Sequence, residues 1–140
     1  MLKATNINCF AAENIKELPI NTVLISINEE DRDLYPLQID RKDNRVLTLV
    51  FSDVTSKYVL PNGKEFFPIS VESTLKLLDF INLNKEKNFI VHCAAGVSRS
   101  AAVCFYLNLV YGHELKENFW KDCRPNKFVV GQLFVTRHKM

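Results

Sequence analysis

Between Asn88 and Tyr111 the chain passes from an apolar run, through a stretch of small residues, into a second apolar run with no polar face. Few architectures accommodate that pattern. Asn88–His92 is strand-length, and it is too apolar for a strand that faces water on one side. Ser98–Tyr111 is helix-length and apolar almost all round, and Gly112 is placed to stop it, so a buried central helix is expected. A buried strand that feeds a buried helix needs further layers of structure on both sides. That requirement points to an α/β sandwich.

Three more runs read as buried strands: Lys3–Cys9, Thr22–Ile27 and Val46–Phe51. Each is rich in Val, Ile, Leu or Phe and gives way to polar residues, as in a parallel sheet covered on both faces. Ser70 is a good cap for a helix running to about Leu83, with Glu72 in its first turn and Val71, Leu75 and Leu78 along one face. A further helix is expected over Glu114–Asp122. Another runs from Asn126 to about His138, just after Pro125, with Val129, Val130, Leu133 and Phe134 turned inward. Glu29–Asn44 reads as a long polar loop. Ser52–Pro68 reads as a second loop, holding the turn signal Pro61-Asn62-Gly63. The expected fold class is α/β, a central, mostly parallel sheet of about four or five strands flanked by helices. The 140 residues suit a single domain over 1–140.

The join between the buried strand and the buried helix carries the chemistry. Ile90-Val91-His92-Cys93-Ala94-Ala95-Gly96-Val97-Ser98-Arg99-Ser100 is a strand, a tight loop and a helix start. A phosphate dianion needs several donors aimed at one centre, and a short loop wrapped around a helix N-terminus supplies backbone N–H groups for it. The small side chains of Ala94, Ala95 and Gly96 let the backbone approach closely, and Gly96 can take positive φ. Val97 and Ser98 complete the loop, with Ser98 also a candidate helix cap. Arg99 offers a fork for two phosphate oxygens. The same positive surroundings favour a thiolate at Cys93, and the thiolate is the nucleophilic form. Ser100 is placed for its hydroxyl to reach the Cys93 sulfur and help it leave again. His92 is placed to orient the loop through its backbone.

With these residues the chain resembles the cysteine-based protein phosphatases, whose H-C-x5-R-S pattern is intact here. Ala-Gly-Val-Ser-Arg-Ser is most similar to the dual-specificity branch. Pro125-Asn126-Lys127-Phe128, followed by Gln132-Leu133, is similar to that branch's C-terminal helix motif, whose Asn braces the phosphate loop. The resemblance runs from about Val46 to Phe134 and implies a cysteine-phosphatase-like fold. It also implies an Asp, on a loop upstream of the cysteine, that protonates the leaving group. Asp53 lies farther upstream than the usual spacing, and Glu65 lies nearer to it. Asp53 is favoured because it follows directly on Val46–Phe51, and the carboxyl ends of parallel strands converge on one edge.

The function that follows is hydrolysis of phosphotyrosine, with phosphoserine and phosphothreonine as further candidates, through a phosphocysteine on Cys93. The partner is then a phosphoprotein or phosphopeptide. Phosphatases of RNA 5′ ends or of phosphoinositides usually carry extra Lys or Arg inside the loop, and Ala94, Ala95, Val97 and Ser98 offer none. A module that reads phosphate without turning it over is the alternative outside enzymology. The net charge of +2 is too small for non-specific attraction to nucleic acid or membrane. Cys9, Cys93, Cys104 and Cys123 show no C-x-x-C pairing, so no metal is expected, and the chemistry needs no cofactor. Cys104 fits a small buried hydrophobe. With no secretory pattern at its start, the chain is expected to be a cytoplasmic monomer. Tyr58, Phe66, Phe67 and the Glu29–Asn44 loop are the candidates for the rim of the site.

Overall fold

A computed structural model describes residues 1–139. Its elements in chain order are β1 (Lys3–Ile7), α1 (Cys9–Glu13), β2 (Thr22–Asn28), β3 (Val46–Val50), β4 (Tyr58–Val59), β5 (Glu65–Phe66), α2 (Val71–Leu83), β6 (Asn88–His92), α3 (Arg99–Tyr111), β7 (Glu114–Leu115), α4 (Phe119–Asp122) and α5 (Lys127–His138). Five strands form one sheet in the order β3-β2-β6-β1-β7, every neighbouring pair parallel. The expected α/β architecture is the one observed. In the register Ser26 pairs with His92 and Ile7 pairs with His92 from the other side, so β1 and β6 end level at the residue that precedes Cys93 and β2 runs two residues further, to Asn28.

The main core is built from alternate residues of β2 (Val23, Ile25, Ile27) with Phe89 and Val91 of β6, packed on α2, α3 and α5. A second cluster, Leu18, Leu24, Ile39 and Val46, covers the opposite face. All seven residues of β2 are buried. Ala101, Ala102, Val103, Cys104 and Leu107 of α3 are fully buried, as a helix without a polar face must be. Gly112 ends α3 at φ 75° in the left-handed region.

Three details depart from the reading of the sequence. The helix expected over Glu114–Asp122 is the edge strand β7 followed by the single turn α4. Glu114 N–H donates to the Leu2 carbonyl at 2.8 Å, and Glu114 and Leu115 pair with β1. Asn118, at φ 63°, breaks any helix running between them. On α2 the inward face is Thr74, Leu77, Leu78 and Ile81, whereas Val71 and Leu75 are exposed. Thr74 is buried without penalty because its hydroxyl donates to the Ser70 carbonyl at 2.7 Å, so a polar residue shares the apolar face. The first strand stops at Ile7, since Asn8 caps α1 by accepting the Ala11 N–H at 2.8 Å. Ser70, by contrast, caps α2 as expected, accepting the Ser73 N–H at 3.0 Å.

Candidate active site

β6 ends at His92, and the chain turns through Cys93–Ser98 before α3 begins at Arg99. The loop's carbonyls are held from outside. The Ala94 carbonyl accepts Cys9 N–H at 3.1 Å, and the Gly96 carbonyl accepts Asn6 Nδ2 at 2.6 Å. The Val97 carbonyl accepts Arg124 N–H at 2.8 Å, and the Ser98 carbonyl accepts Asn126 N–H at 3.0 Å. In a planar trans peptide the next N–H points opposite to the carbonyl. Fixing these four carbonyls to the surrounding scaffold therefore turns the N–H groups of Ala95, Val97, Ser98 and Arg99 toward the hollow of the loop. Gly96 is required here twice over. Its φ is 75°, and a Cβ would stand 2.5 Å from the Ile7 carbonyl carbon.

Cys93 is 2% exposed. Its Sγ lies 3.1 Å from Ser100 Oγ and 3.3 Å from the Gly96 N–H, so donors surround the sulfur. Arg99 is also buried. One terminal nitrogen donates to the Phe51 carbonyl at 2.8 Å, and the other pairs with Glu29 Oε1 at 2.8 Å. Its Nε is buried without a partner. A buried guanidinium N–H is costly to leave unpaired, and an anion in the loop would satisfy it.

His92 is buried, with Nε2 2.6 Å from Ser26 Oγ and Nδ1 3.4 Å from the Cys93 carbonyl. Burial pushes the imidazole down to about 4, with Arg41 and Arg99 acting the same way against the opposing hydrogen bond to Cys93. His92 is therefore neutral at ordinary pH.

Asp53 lies just past β3. Its Oδ1 accepts Ser98 Oγ at 2.8 Å and Asn126 Nδ2 at 2.8 Å, which ties the carboxylate to the end of the loop. Ser98 thus spends its hydroxyl on Asp53 and makes no side-chain cap on α3, contrary to the capping role considered from sequence. Asn126 does three jobs. Its Oδ1 caps α5 by accepting Phe128 and Val129 N–H, its Nδ2 holds Asp53, and its backbone N–H holds Ser98. Glu65 is elsewhere, on the small β4–β5 hairpin.

Two clefts flank the loop. One, of about 410 Å³, is lined by Asp53, Ser56, Tyr58, Ser98, Arg124 and Asn126. The other, of about 670 Å³, lies on the Arg99 side between Glu29, Phe51, Glu65, Phe67 and Ser70. Tyr58 and Phe67 are exposed at these edges, and Tyr58 stacks on Phe66 with ring centroids 4.7 Å apart.

The structure thus gathers Cys93, Arg99, Ser100, His92, Asp53, Ser98 and Asn126 around one loop, while Glu65, on the β4–β5 hairpin, makes no hydrogen bond to that group and lines the cleft of Glu29 and Phe51. It also adds residues that sequence reasoning passed over: Asn6, Ser26, Asn28, Glu29, Tyr35 and Arg41. A signal existed for some of them. Asn6, Ser26 and Asn28 are polar residues inside apolar strands, and each is fully buried. Among the described residues, no group of three or more His, Cys, Asp or Glu is arranged to hold a metal ion, and no helix is long and apolar enough to cross a membrane.

No protein-family description matches the chain, and no curated protein sequence does. Solved structures do match. The human tyrosine phosphatase-like serine/threonine/tyrosine-interacting protein superposes with a TM-score of 0.51 at 22% identity, over 84% of this chain and 77% of that one. This chain has the cysteine-phosphatase fold. Tk-PTP in its active form is also similar, with a TM-score of 0.47 at 21% identity over 86% of this chain and 81% of its own. So is PTP-2 of Cydia pomonella, with a TM-score of 0.48 at 22% identity over 79% of this chain and 68% of its own. At these identities the likeness concerns the fold alone, and the chemistry of this chain has to be argued from its own residues.

Proposed function

We propose that the protein is a cysteine-dependent phosphatase acting on phosphotyrosine, and on phosphoserine or phosphothreonine where the rim admits them. The observation that carries this reading is the shared geometry of nucleophile and acid. Cys93 Sγ sits among donors inside a loop of inward N–H groups, while the Asp53 carboxylate is fastened to the last residues of the same loop.

In this reading the phosphate monoester seats in the loop with its oxygens on the backbone N–H groups and on Arg99. The Cys93 thiolate attacks phosphorus in line with the leaving oxygen, forming the S–P bond as the P–O bond breaks. Asp53 Oδ1 is occupied by Ser98 and Asn126, so Oδ2 carries the proton given to the departing alkoxide or phenolate. In the second step water attacks phosphorus and loses its proton to the Asp53 carboxylate. The S–P bond breaks, the Ser100 hydroxyl stabilises the sulfur that leaves, and inorganic phosphate is released. No step calls for a metal or an organic cofactor. A phosphopeptide is the partner that suits a loop with no extra basic side chain, its neighbouring residues lying against Tyr58 and Phe67.

The test is turnover by purified protein of a panel: phosphopeptides of all three types, a phosphoinositide and an RNA 5′-triphosphate. Phosphotyrosine peptide is expected to be the best substrate. Cys93→Ser should abolish turnover while phosphopeptide binding survives. Binding by the native protein with no release of phosphate would replace this reading with that of a phosphate-reading module.

A further inference from the structure

β2 is buried along its whole length, yet two of its residues are polar, Ser26 and Asn28. Their hydrogen bonds have a consequence for His92. Ser26 Oγ has three neighbours: Arg41 at 3.0 Å, Asn28 Nδ2 at 3.1 Å and His92 Nε2 at 2.6 Å. A guanidinium has no acceptor, so Arg41 donates. The orientation of Asn28 is fixed as well, because its Oδ1 accepts the Tyr35 N–H at 2.9 Å, so the group facing Ser26 is the NH2. Asn28 Nδ2 has two hydrogens and three acceptors in reach: Ser26 Oγ, the Ser26 carbonyl at 3.0 Å and the Leu49 carbonyl at 3.2 Å. Arg41 therefore holds one lone pair of Ser26 Oγ and Asn28 shares the other. The other end of the His92 ring decides the proton: Nδ1 faces the Cys93 carbonyl, which can only accept, so Nε2 accepts the Ser26 hydroxyl hydrogen. An accepting Nε2 leaves the single ring proton on Nδ1, which faces the Cys93 carbonyl.

We infer that Arg41 and Asn28 are positioning residues that act through Ser26 to hold His92 as the neutral Nδ1–H tautomer, whose N–H braces the Cys93 carbonyl. Arg41 reaches Ser26 from the loop after β2 and is fixed by Thr48 Oγ1 at 2.9 Å and by the Tyr35 carbonyl. Among the described residues no carboxylate forms an ion pair with it. The groups facing His92 from the packed elements are Arg41, Arg99, Cys93 and the edge of Tyr35, whose ring centroid is 6.0 Å away. None is an anion beside Nε2 that would draw a second proton onto the ring. Anchoring the Cys93 carbonyl also aims the Ala94 N–H, on the far side of the same peptide, at the loop. The kinetic consequence of this arrangement rests on the phosphatase reading, but the tautomer does not.

The experiment is long-range proton–nitrogen NMR of the full chain labelled with 15N-histidine, with His92 assigned by its loss in His92→Asn. The expected result is a protonated Nδ1 and an unprotonated Nε2 on His92, unchanged between pH 8 and pH 5.5. In Arg41→Met and Ser26→Ala the ring is expected to populate Nε2–H. The rate of aryl phosphate turnover should fall about tenfold with KM little changed, and Arg41→Lys should recover much of both. Thermal melts check that each variant folds. If Ser26→Ala does not, the native spectrum and Arg41→Met decide. A native His92 protonated on Nε2, or a pattern indifferent to Arg41→Met, overturns the inference. Native protein with the expected tautomer but no turnover of any phosphate ester would leave the relay standing and remove the phosphatase reading instead.

Discussion

The two halves of the candidate active site are built in different ways. The Cys93–Ser98 loop is held by its backbone. Asn6, Cys9, Arg124 and Asn126 each take one of its carbonyls, and Cys93, Gly96, Arg99 and Ser100 are all buried. The Asp53 segment is held by fewer bonds, most of them to a single side chain. Asp53 is exposed and fastened through one carboxylate oxygen, and the hairpin beyond it is tied to β3 where Ser52 N–H donates to the Phe67 carbonyl at 2.7 Å. A cradle whose N–H groups must converge on one phosphate cannot shift, so it is made from peptide planes locked to the sheet. A proton donor has to meet leaving groups of different size. Two side-chain hydrogen bonds, one exposed and one half-buried, suit that task in the proposed mechanism, since each contributes about 1 kcal/mol.

If the loop depends on rigid backbone, Gly96→Ala should do the most damage. The new Cβ would collide with the Ile7 backbone, and alanine is strained at this φ. A loss of about 3 kcal/mol in urea unfolding and of nearly all activity is expected. Wild-type behaviour would mean that the loop can relax and that the contrast is false. Arg99→Lys keeps the charge but cannot satisfy Phe51, Glu29 and a phosphate at once. Steady-state kinetics should show kcat/KM lower by about 10²–10³-fold with little change in melting temperature.

The acid segment should fail more gently. Asp53→Asn is expected to slow phosphotyrosine turnover about 10²-fold and an activated aryl phosphate only a few-fold, because the latter's phenolate departs without a proton. Glu65→Gln should change neither rate. Should Glu65 carry the leaving-group dependence instead, Asp53 is a surface residue that merely holds Ser98 and Asn126.

The effect that leaves activity at neutral pH untouched is one of pH on stability. The folded-state value of His92 is depressed to about 4 from its ordinary 6.5, so the unfolded chain takes up a proton before the folded one does. This contribution to stability is complete above about pH 6.5 and is lost as pH falls toward 4, by about 3 kcal/mol at most. Urea titrations from pH 7 to pH 4.5 should give a steeper decline for the native chain than for His92→Asn. Equal slopes would place His92 in contact with water.

How much could be read beforehand depended on whether the relevant contacts are local. α2 and α5 carry their own N-caps, α3 ends on Gly112, and all three were legible to within a residue or two from their caps and apolar residues. The Glu114–Asp122 segment was misread because its partner, β1, lies more than a hundred residues away, and edge pairing with a distant strand leaves no local period. The inward face of α2 was misplaced because a threonine that bonds its own helix carbonyl packs as an apolar residue does. Cys93, Arg99 and Ser100 were legible since they share one turn of chain. Glu29 and Arg41 were not, because charged residues in a polar loop look the same whether they face solvent or a buried partner.

By itself the sequence determined the α/β class and the strand–loop–helix that carries Cys93, because a buried helix entered from a buried strand leaves few other folds. Tertiary structure decided what surrounds that loop. The order β3-β2-β6-β1-β7 puts the carboxyl ends of β2 and β3 on one side of β6 and the end of β1 on the other. Glu29 and Phe51 thereby reach Arg99, Ser26 reaches His92, and Asn6 reaches Gly96. Asp53, two residues beyond Phe51, meets Ser98 and Asn126, while Glu65, on its hairpin, lines the cleft of Glu29 and Phe51. Strand order is set by which apolar faces bury best together, a property of the whole sheet that no short stretch of residues contains.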